Sequence, residues 1–186
     1  VEHPVTEGIT GVNLPATQLQ VFMGIPLHNL PEIRRFYGEA DIYGLSKIDF
    51  VTAERPKMAS HVMAARITAE NPDEGFKPTS GKIKRVAFSS SREAWGYFSI
   101  GANGGIHEYA DSQFGHIFAT GKDRDEARKN LMLALKTLDI VGEIRHPTDY
   151  LLELADRADF KENRIDTAWL DRLITEKLVK TSWQSQ

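Results

Sequence analysis

The chain contains no cysteine. That removes disulfides, thiolate metal sites and a cysteine nucleophile from consideration. It agrees with a reducing compartment, so the cytosol is the default expectation and a plastid the alternative. No apolar run approaches the ~20 residues that a helix needs to cross a bilayer, and no apolar stretch follows a basic start as in a signal peptide. An excess of positive charge is missing too. Lys and Arg number 23 against 26 Asp and Glu, a formal net charge of −3, which argues against a nucleic-acid surface. The histidines, His3, His28, His61, His107, His116 and His146, show no i,i+4 pairing, so no metal site is expected within this chain. There is no Gly-x-Ser-x-Gly elbow. The glycine cluster Gly101–Gly105 lacks the strand–loop–helix context and following lysine of a phosphate loop, so it reads as a hairpin turn.

What is present is an ordinary globular composition: 186 residues, 41% hydrophobic, 26% charged, with a mean hydropathy of −0.37. The length suits one well-buried domain, or one domain with an appended piece. Leu14–Gly24 predicts a helix with Pro15 in its first turn and Gly24 as its stop. Leu14, Leu19, Phe22 and Met23 fall near one face and are expected in the core. A second helix is expected over Leu30–Tyr37, closed by Gly38. Residues 39–60 show no sustained period and contain Pro56, which predicts an exposed loop or insert. From His61 the pattern turns to strands over 61–69, 81–88, 95–100, 106–109 and 115–120, with a turn at 70–75. Asp123 and Glu126 form a capping box for a helix through Leu138, whose buried stripe is Ala127, Leu131, Ala134, Leu135 and Leu138. Further helices are expected near 148–157 and 168–178. Strands followed by helices predict an α+β fold, with an antiparallel sheet covered on one side.

Two residues carry possible chemistry on their own pattern. The chain opens, without an initiator Met, on Val1-Glu2-His3-Pro4-Val5-Thr6-Glu7, which reads as the end of a longer catalytic motif with its partners upstream. Glu2 is a candidate general base there, although spacing alone favours a solvated charge. Arg66 lies among Met63, Ala64, Ala65 and Ile67. An arginine in such surroundings is expected to face a carboxylate, a ligand or a cleft. A structural ion pair is the bland reading and an anion stabiliser the sharp one. Lys82, Lys84 and Arg85 along one strand read as a solvated face.

Several segments together resemble a known family. Val-Glu-His-Pro-Val-Thr-Glu at 1–7, Ile-Thr-Gly-Val-Asn-Leu-Pro at 9–15 and Met-Gly-Ile-Pro-Leu at 23–27 resemble the end of the ATP-grasp region of biotin carboxylases. Ala-Arg-Ile-Thr-Ala-Glu-Asn-Pro at 65–72 and Ser-Gly-Lys-Ile at 80–83 are similar to that family's C-terminal subdomain. Gly-Phe-Lys-Pro at 75–78, Trp-Gly-Tyr-Phe-Ser at 95–99 and Asp-Ser-Gln-Phe-Gly-His-Ile-Phe-Ala at 111–119 resemble the eukaryotic multidomain acetyl-CoA carboxylases. The resemblance implies four parts: the end of an ATP-grasp region at 1–38, a loop or insert at 39–60, the biotin carboxylase C-terminal subdomain at 61–178, and a tail at 179–186.

It also implies a ligase reaction: ATP- and bicarbonate-dependent carboxylation of biotin on a carrier domain, leading to malonyl-CoA for fatty-acid synthesis. Glu2 matches the base that deprotonates bicarbonate, and the Val1 backbone matches a bicarbonate contact. Arg66 matches the arginine that holds bicarbonate and stabilises enolate-like biotin, and Ile144 an apolar adenine contact. The residues that bind Mg or Mn and most of ATP are expected upstream of Val1, so the isolated chain is expected not to turn over ATP. Implied partners are the biotinylated carrier, the carboxyltransferase domain of the same polypeptide and a second copy in a homodimer, with no nucleic acid and no membrane. Trp95 and Phe114 match the aromatic wall of a pocket that accepts a macrocyclic polyketide inhibitor. A regulatory module built on that pocket is one alternative function, and the biotin carboxylase part of another biotin-dependent carboxylase is a second.

Overall fold

Prolines, asparagines and glycines set the helix boundaries at the N-terminal end. The computed structural model describes residues 2–54, 56–58, 60–107 and 109–176, Glu2 by its backbone alone. The chain divides into two compact units, Val1–Val62 and Met63–Gln186. In the first, α1 spans Glu2–Thr10, α2 Leu14–Phe22 and α3 Pro31–Phe36. The sequence did not predict α1, yet Pro4 sits in its first turn, where a missing N–H costs nothing. The Asn13 side chain caps α2 by accepting from the Ala16 N–H at 2.9 Å, as short polar side chains do at that position. The Asn13 N–H in turn donates to the Glu32 carboxylate of α3 at 2.8 Å. The Leu14 N–H donates to Glu7 of α1, also at 2.8 Å. Gly24 and Gly38 stop α2 and α3 at φ of 85° and 74°, in the left-handed region where glycine carries no Cβ penalty. One expectation fails here. Leu19, Phe22 and Met23 are exposed, and the buried residue of α2 is Thr17, because this unit covers the opposite side of the helix.

The 39–60 segment forms no helix or strand among its described residues, yet its first half is not loosely held. Arg34 of α3 is 1% exposed. Its guanidinium donates to the carbonyls of Asp41, His28 and Ser46 at 2.7, 3.0 and 2.8 Å, and to the Glu39 carboxylate and Ser46 hydroxyl at 3.1 and 2.9 Å. Further along, Phe50 meets Tyr37 edge-on at 5.2 Å between ring centroids.

The second unit holds the sheets. The strands are β1 His61–Thr68, β2 Glu70–Asn71, β3 Lys77–Pro78, β4 Gly81–Ala87, β5 Ala94–Phe98, β6 Gly105–Ile106, β7 Gln113–Gly121 and β8 Asp139–Gly142. They pair in the orders β1-β7-β5, β2-β3 and β6-β4-β8. The expected hairpin at Gly101–Gly105 does not form, since β6 pairs with β4 and not with β5. The glycine loop instead clasps β4, with the Ile83 N–H donating to Gly104 and the Asn103 N–H to Ile83 at 2.9 and 3.0 Å. The strand expected over 106–109 shrinks to Gly105–Ile106. A register shift between Ile83 and Arg85 leaves Lys84 and Arg85 exposed in succession, as an extra residue in a bulged strand does.

Helix α4, Arg124–Thr137, lies on β7 and buries Ala127, Leu131, Ala134 and Leu135 in the main core with Ile67, Ile83, Phe114 and Ile117. The Asp123 carboxylate accepts from the Glu126 N–H at 2.9 Å. Glu126 answers at the Lys122 N–H, at 2.7 Å, one residue earlier than a standard capping box. Arg128, unforeseen in the core, is held there by Asp125 at 2.7 Å and the Ala155 carbonyl at 3.2 Å. Gly121 links β7 to this helix, and a Cβ there would overlap the backbone of Ala127 and Glu126. Gly121→Ala is expected to push the first turn of α4 off the sheet. The expected cost is about 2 kcal/mol, in the range of overpacked cores, read as a lowered urea midpoint. Helices α5 Thr148–Asp156 and α7 Trp169–Thr175 match expectation, while the short β8 and α6 (Ala158–Lys161) were not foreseen. A second cluster joins Tyr150, Leu154 and Leu173 with Phe76 and Trp169.

Candidate functional site

Strand alternation decides where Arg66 points. Met63, Ala65 and Ile67 of β1 are 8%, 5% and 0% exposed and belong to the main core. Arg66, between two of them, is exposed, because successive strand residues face opposite sides. The apolar neighbours therefore do not bury it, which corrects the expectation that it sits in an apolar environment. It forms no ion pair with another described residue. A guanidinium on a core strand, with no partner among the described residues, can take an anion from outside.

Beyond Arg66 the strand exit is tied down by a carboxylate. Glu70 accepts from the Ser112 hydroxyl at 2.6 Å and from the Thr68 hydroxyl at 3.1 Å. The Ala69 N–H donates to the Ser112 carbonyl at 2.8 Å. Thr68 is 9% exposed. Sequence reading passed over this group, since three polar residues in two segments carry no pattern until β1 and β7 lie side by side.

The β5–β7 pair places Trp95 opposite Phe118 and Tyr97 opposite His116. Trp95 stacks on Phe118 at 4.4 Å and 22°, and Phe118 on His116 at 5.8 Å and 21°. Trp95 is 47% exposed and Phe118 1%. Phe114 is 2% exposed and packs in the main core, its ring tilted against Phe98 at 6.4 Å. The ring behind Trp95 is thus Phe118 and not Phe114, a pairing fixed by register and invisible from spacing. Offset aromatic pairs contribute about 0.5–1.5 kcal/mol beyond burial. Trp95→Ala is accordingly expected to cost about 1 kcal/mol and to remove much of the acrylamide-quenchable tryptophan fluorescence. Unchanged quenching would place the Trp95 ring under cover.

Val1 and the Glu2 side chain lie outside the described residues, and only the backbone of Glu2 is placed, as the first residue of α1. Ile144 is 7% exposed and packs in the main core. Among the described residues no group of three His, Asp or Glu side chains could hold a metal, and no helix is long and apolar enough to cross a membrane. An open basin of about 520 Å³, lined in part by Gly81, Lys82, His107, Tyr109 and Glu143, includes none of the predicted site residues. Burial of His146 lowers its pKa, with Asp149 opposing, and the ring meets the Thr148 hydroxyl at 2.9 Å.

The sequence profile of the biotin carboxylase C-terminal domain matches residues 64–172. The acetyl-CoA carboxylase of Dictyostelium discoideum is 61% identical over 181 residues, which is 96% of this chain and 8% of that protein. The mitochondrial acetyl-CoA carboxylase of Saccharomyces cerevisiae is 54% identical over 182 residues, 98% of this chain and again 8% of the relative. A solved biotin carboxylase domain dimer of 2-oxoglutarate carboxylase from Hydrogenobacter thermophilus, in complex with MgADP, ADP and bicarbonate, shares the fold. Its TM-score is 0.69 at 24% identity, over 93% of this chain and 33% of that one. The α+β fold, helices with antiparallel sheets, is shared with solved biotin carboxylase domains. The chain belongs to the biotin carboxylase C-terminal domain family. It spans about 8% of the length of the curated relatives it matches.

Proposed function

We propose that this chain forms the C-terminal part of the biotin carboxylase domain of a multidomain acetyl-CoA carboxylase working in the cytosol or a plastid. The observation that carries the proposal is Arg66, an exposed guanidinium on a core strand that has no ion pair with another described residue. A planar fork of permanently charged donors suits bicarbonate, and equally the enolate-like oxygen of biotin after its ureido N–H proton has left and before the nitrogen takes the carboxyl group. Biotin, held on a separate carrier domain, supplies the ureido nitrogen that accepts the carboxyl group. Glu2 would take the proton from bicarbonate, a poor nucleophile while it keeps that proton, so that its oxygen can attack the γ-phosphate of ATP with loss of ADP. Phosphate then leaves as the carboxyl group passes to biotin. ATP, the divalent metal (Mg or Mn), the carrier, the carboxyltransferase domain and a second copy in a homodimer complete the assembly. The identities of 61% and 54% to acetyl-CoA carboxylases support acetyl-CoA as the molecule that finally receives the carboxyl group.

The test is ADP release by a complete biotin carboxylase domain containing residues 1–186. Release that needs both bicarbonate and biotin supports the reading. A domain that binds ATP and releases no ADP with both present overturns it. A second role, binding of a macrocyclic polyketide, is favoured by the half-exposed Trp95 stack. A shift in Trp95 emission on adding the polyketide supports that role, and an unchanged spectrum removes it.

A further inference from the structure

We propose that Glu70 is a positioning residue for Arg66, holding the end of β1 in place through the hydroxyls of Thr68 and Ser112. The proposal rests on the reading of Arg66 as the anion-holding arginine. Within β1, Arg66 and Thr68 lie on the same face because they are two residues apart. The Thr68 hydroxyl donates to the Glu70 carboxylate at 3.1 Å, and the other carboxylate oxygen accepts from Ser112 at 2.6 Å. Ser112 directly precedes β7, and its carbonyl takes the Ala69 N–H at 2.8 Å. The exit of β1 is therefore fastened to the entry of β7 both by backbone and by a charge-assisted side-chain bond of the short, strong kind.

Among the described residues Glu70 has no ion pair, and the side-chain groups that meet its charge are hydroxyls. A carboxylate is an expensive choice for a purely structural joint, where an amide would serve. Its acceptor-only character explains the choice, since it orients both hydroxyls as donors toward itself and fixes their rotamers. Thr68, the next residue on the Arg66 face, is thereby locked, and the backbone that carries both side chains is held with it. Supporting groups of this kind matter because a shift of about 1 Å at a reacting group costs on the order of 100-fold in rate.

The experiment uses the complete biotin carboxylase domain and measures bicarbonate- and biotin-dependent ADP release. Variants are Glu70→Ala, Glu70→Gln, Ser112→Ala, Arg66→Ala and the double variant Glu70→Ala/Arg66→Ala. Glu70→Ala is expected to lower kcat roughly 10-fold or more, raise the KM for bicarbonate and leave the KM for ATP unchanged. Ser112→Ala should follow in the same direction with a smaller loss, and Glu70→Gln, which keeps an acceptor for one hydroxyl, should recover part of the rate. In the Arg66→Ala background, Glu70→Ala should add little, because residues acting through one another are non-additive. Equal losses in both backgrounds, or a fall in kcat with every KM unchanged, would show a general structural role and overturn the proposal. Should Glu70→Ala not fold, Ser112→Ala and Glu70→Gln decide by the same criteria. A parent domain that releases no ADP defeats the functional reading itself, whereas an active parent with an unaffected Glu70→Ala defeats this inference alone.

Discussion

Arg66→Ala in a complete biotin carboxylase domain is expected to lower biotin-dependent ADP release by about 100- to 1,000-fold, the usual loss when one preorganised donor to developing charge is removed. The same variant is expected to unfold within about 0.5 kcal/mol of the parent, as exposed substitutions away from special features do. The two expectations belong together. Arg66 is exposed on β1 while Ala65 and Ile67 beside it are in the core, so the strand keeps its packing when the guanidinium goes. No carboxylate of a described residue loses its partner either, which removes the usual route by which a lost arginine destabilises. Arg66→Lys should fall in between, since an ammonium keeps the charge and loses the two-pronged geometry. Bicarbonate- and biotin-dependent turnover near that of the parent in Arg66→Ala would take the residue out of the mechanism. A large loss of stability instead would assign it to the fold.

The parts of the fold that were legible in the sequence are those decided by local chemistry. Pro15, Gly24 and Gly38 bound α2 and α3 as expected, and Asp123 and Glu126 start α4 with both side chains engaged. The stripe Ala127, Leu131, Ala134 and Leu135 is buried as its spacing requires. What escaped is decided by partners distant in sequence. Gly101–Gly105 has every local mark of a hairpin, yet Gly105 and Ile106 pair with Lys82 and Gly81. The four residues of β8 are too few to show a period, and they exist because β4 offers an edge. Phe114 and Phe118 are equivalent by spacing, and the register against Trp95 alone separates them. The outer face of α2 follows a helical period, but period says only that a face is apolar and not what lies against it. For the site, Arg66 was singled out for its apolar neighbours, although Met63, Ala65 and Ile67 turn out to lie on the other face. Glu70 and Ser112 are 42 residues apart, and no local pattern links them.

The largest stability effect is expected at Arg34, a residue with no bearing on the proposed chemistry. Arg34→Ala removes a guanidinium that is 1% exposed and makes five hydrogen bonds. Three of its acceptors are the carbonyls of His28, Asp41 and Ser46, which sit in the segments before and after α3 and gain no other donor when it leaves. The partner carboxylate, Glu39, is 35% exposed and can turn to water, so the ion pair contributes less than the carbonyl bonds. Buried acceptors left without donors cost about 1–3 kcal/mol each before relaxation, and part of that is recovered as the loop opens to solvent. A net loss of about 3–5 kcal/mol follows, the range seen when one member of a buried charged network is removed. Arg34→Lys should retain only part of the stability, because three donors on one nitrogen cannot span three carbonyls spread around a planar fork. The lost interactions are concentrated between Glu39 and Ser46, so the 39–50 stretch should become the first site of proteolytic cleavage in Arg34→Ala. Urea unfolding and limited proteolysis together check this. An unchanged midpoint with the segment still resistant would mean that Tyr37 against Phe50, and not Arg34, holds the loop.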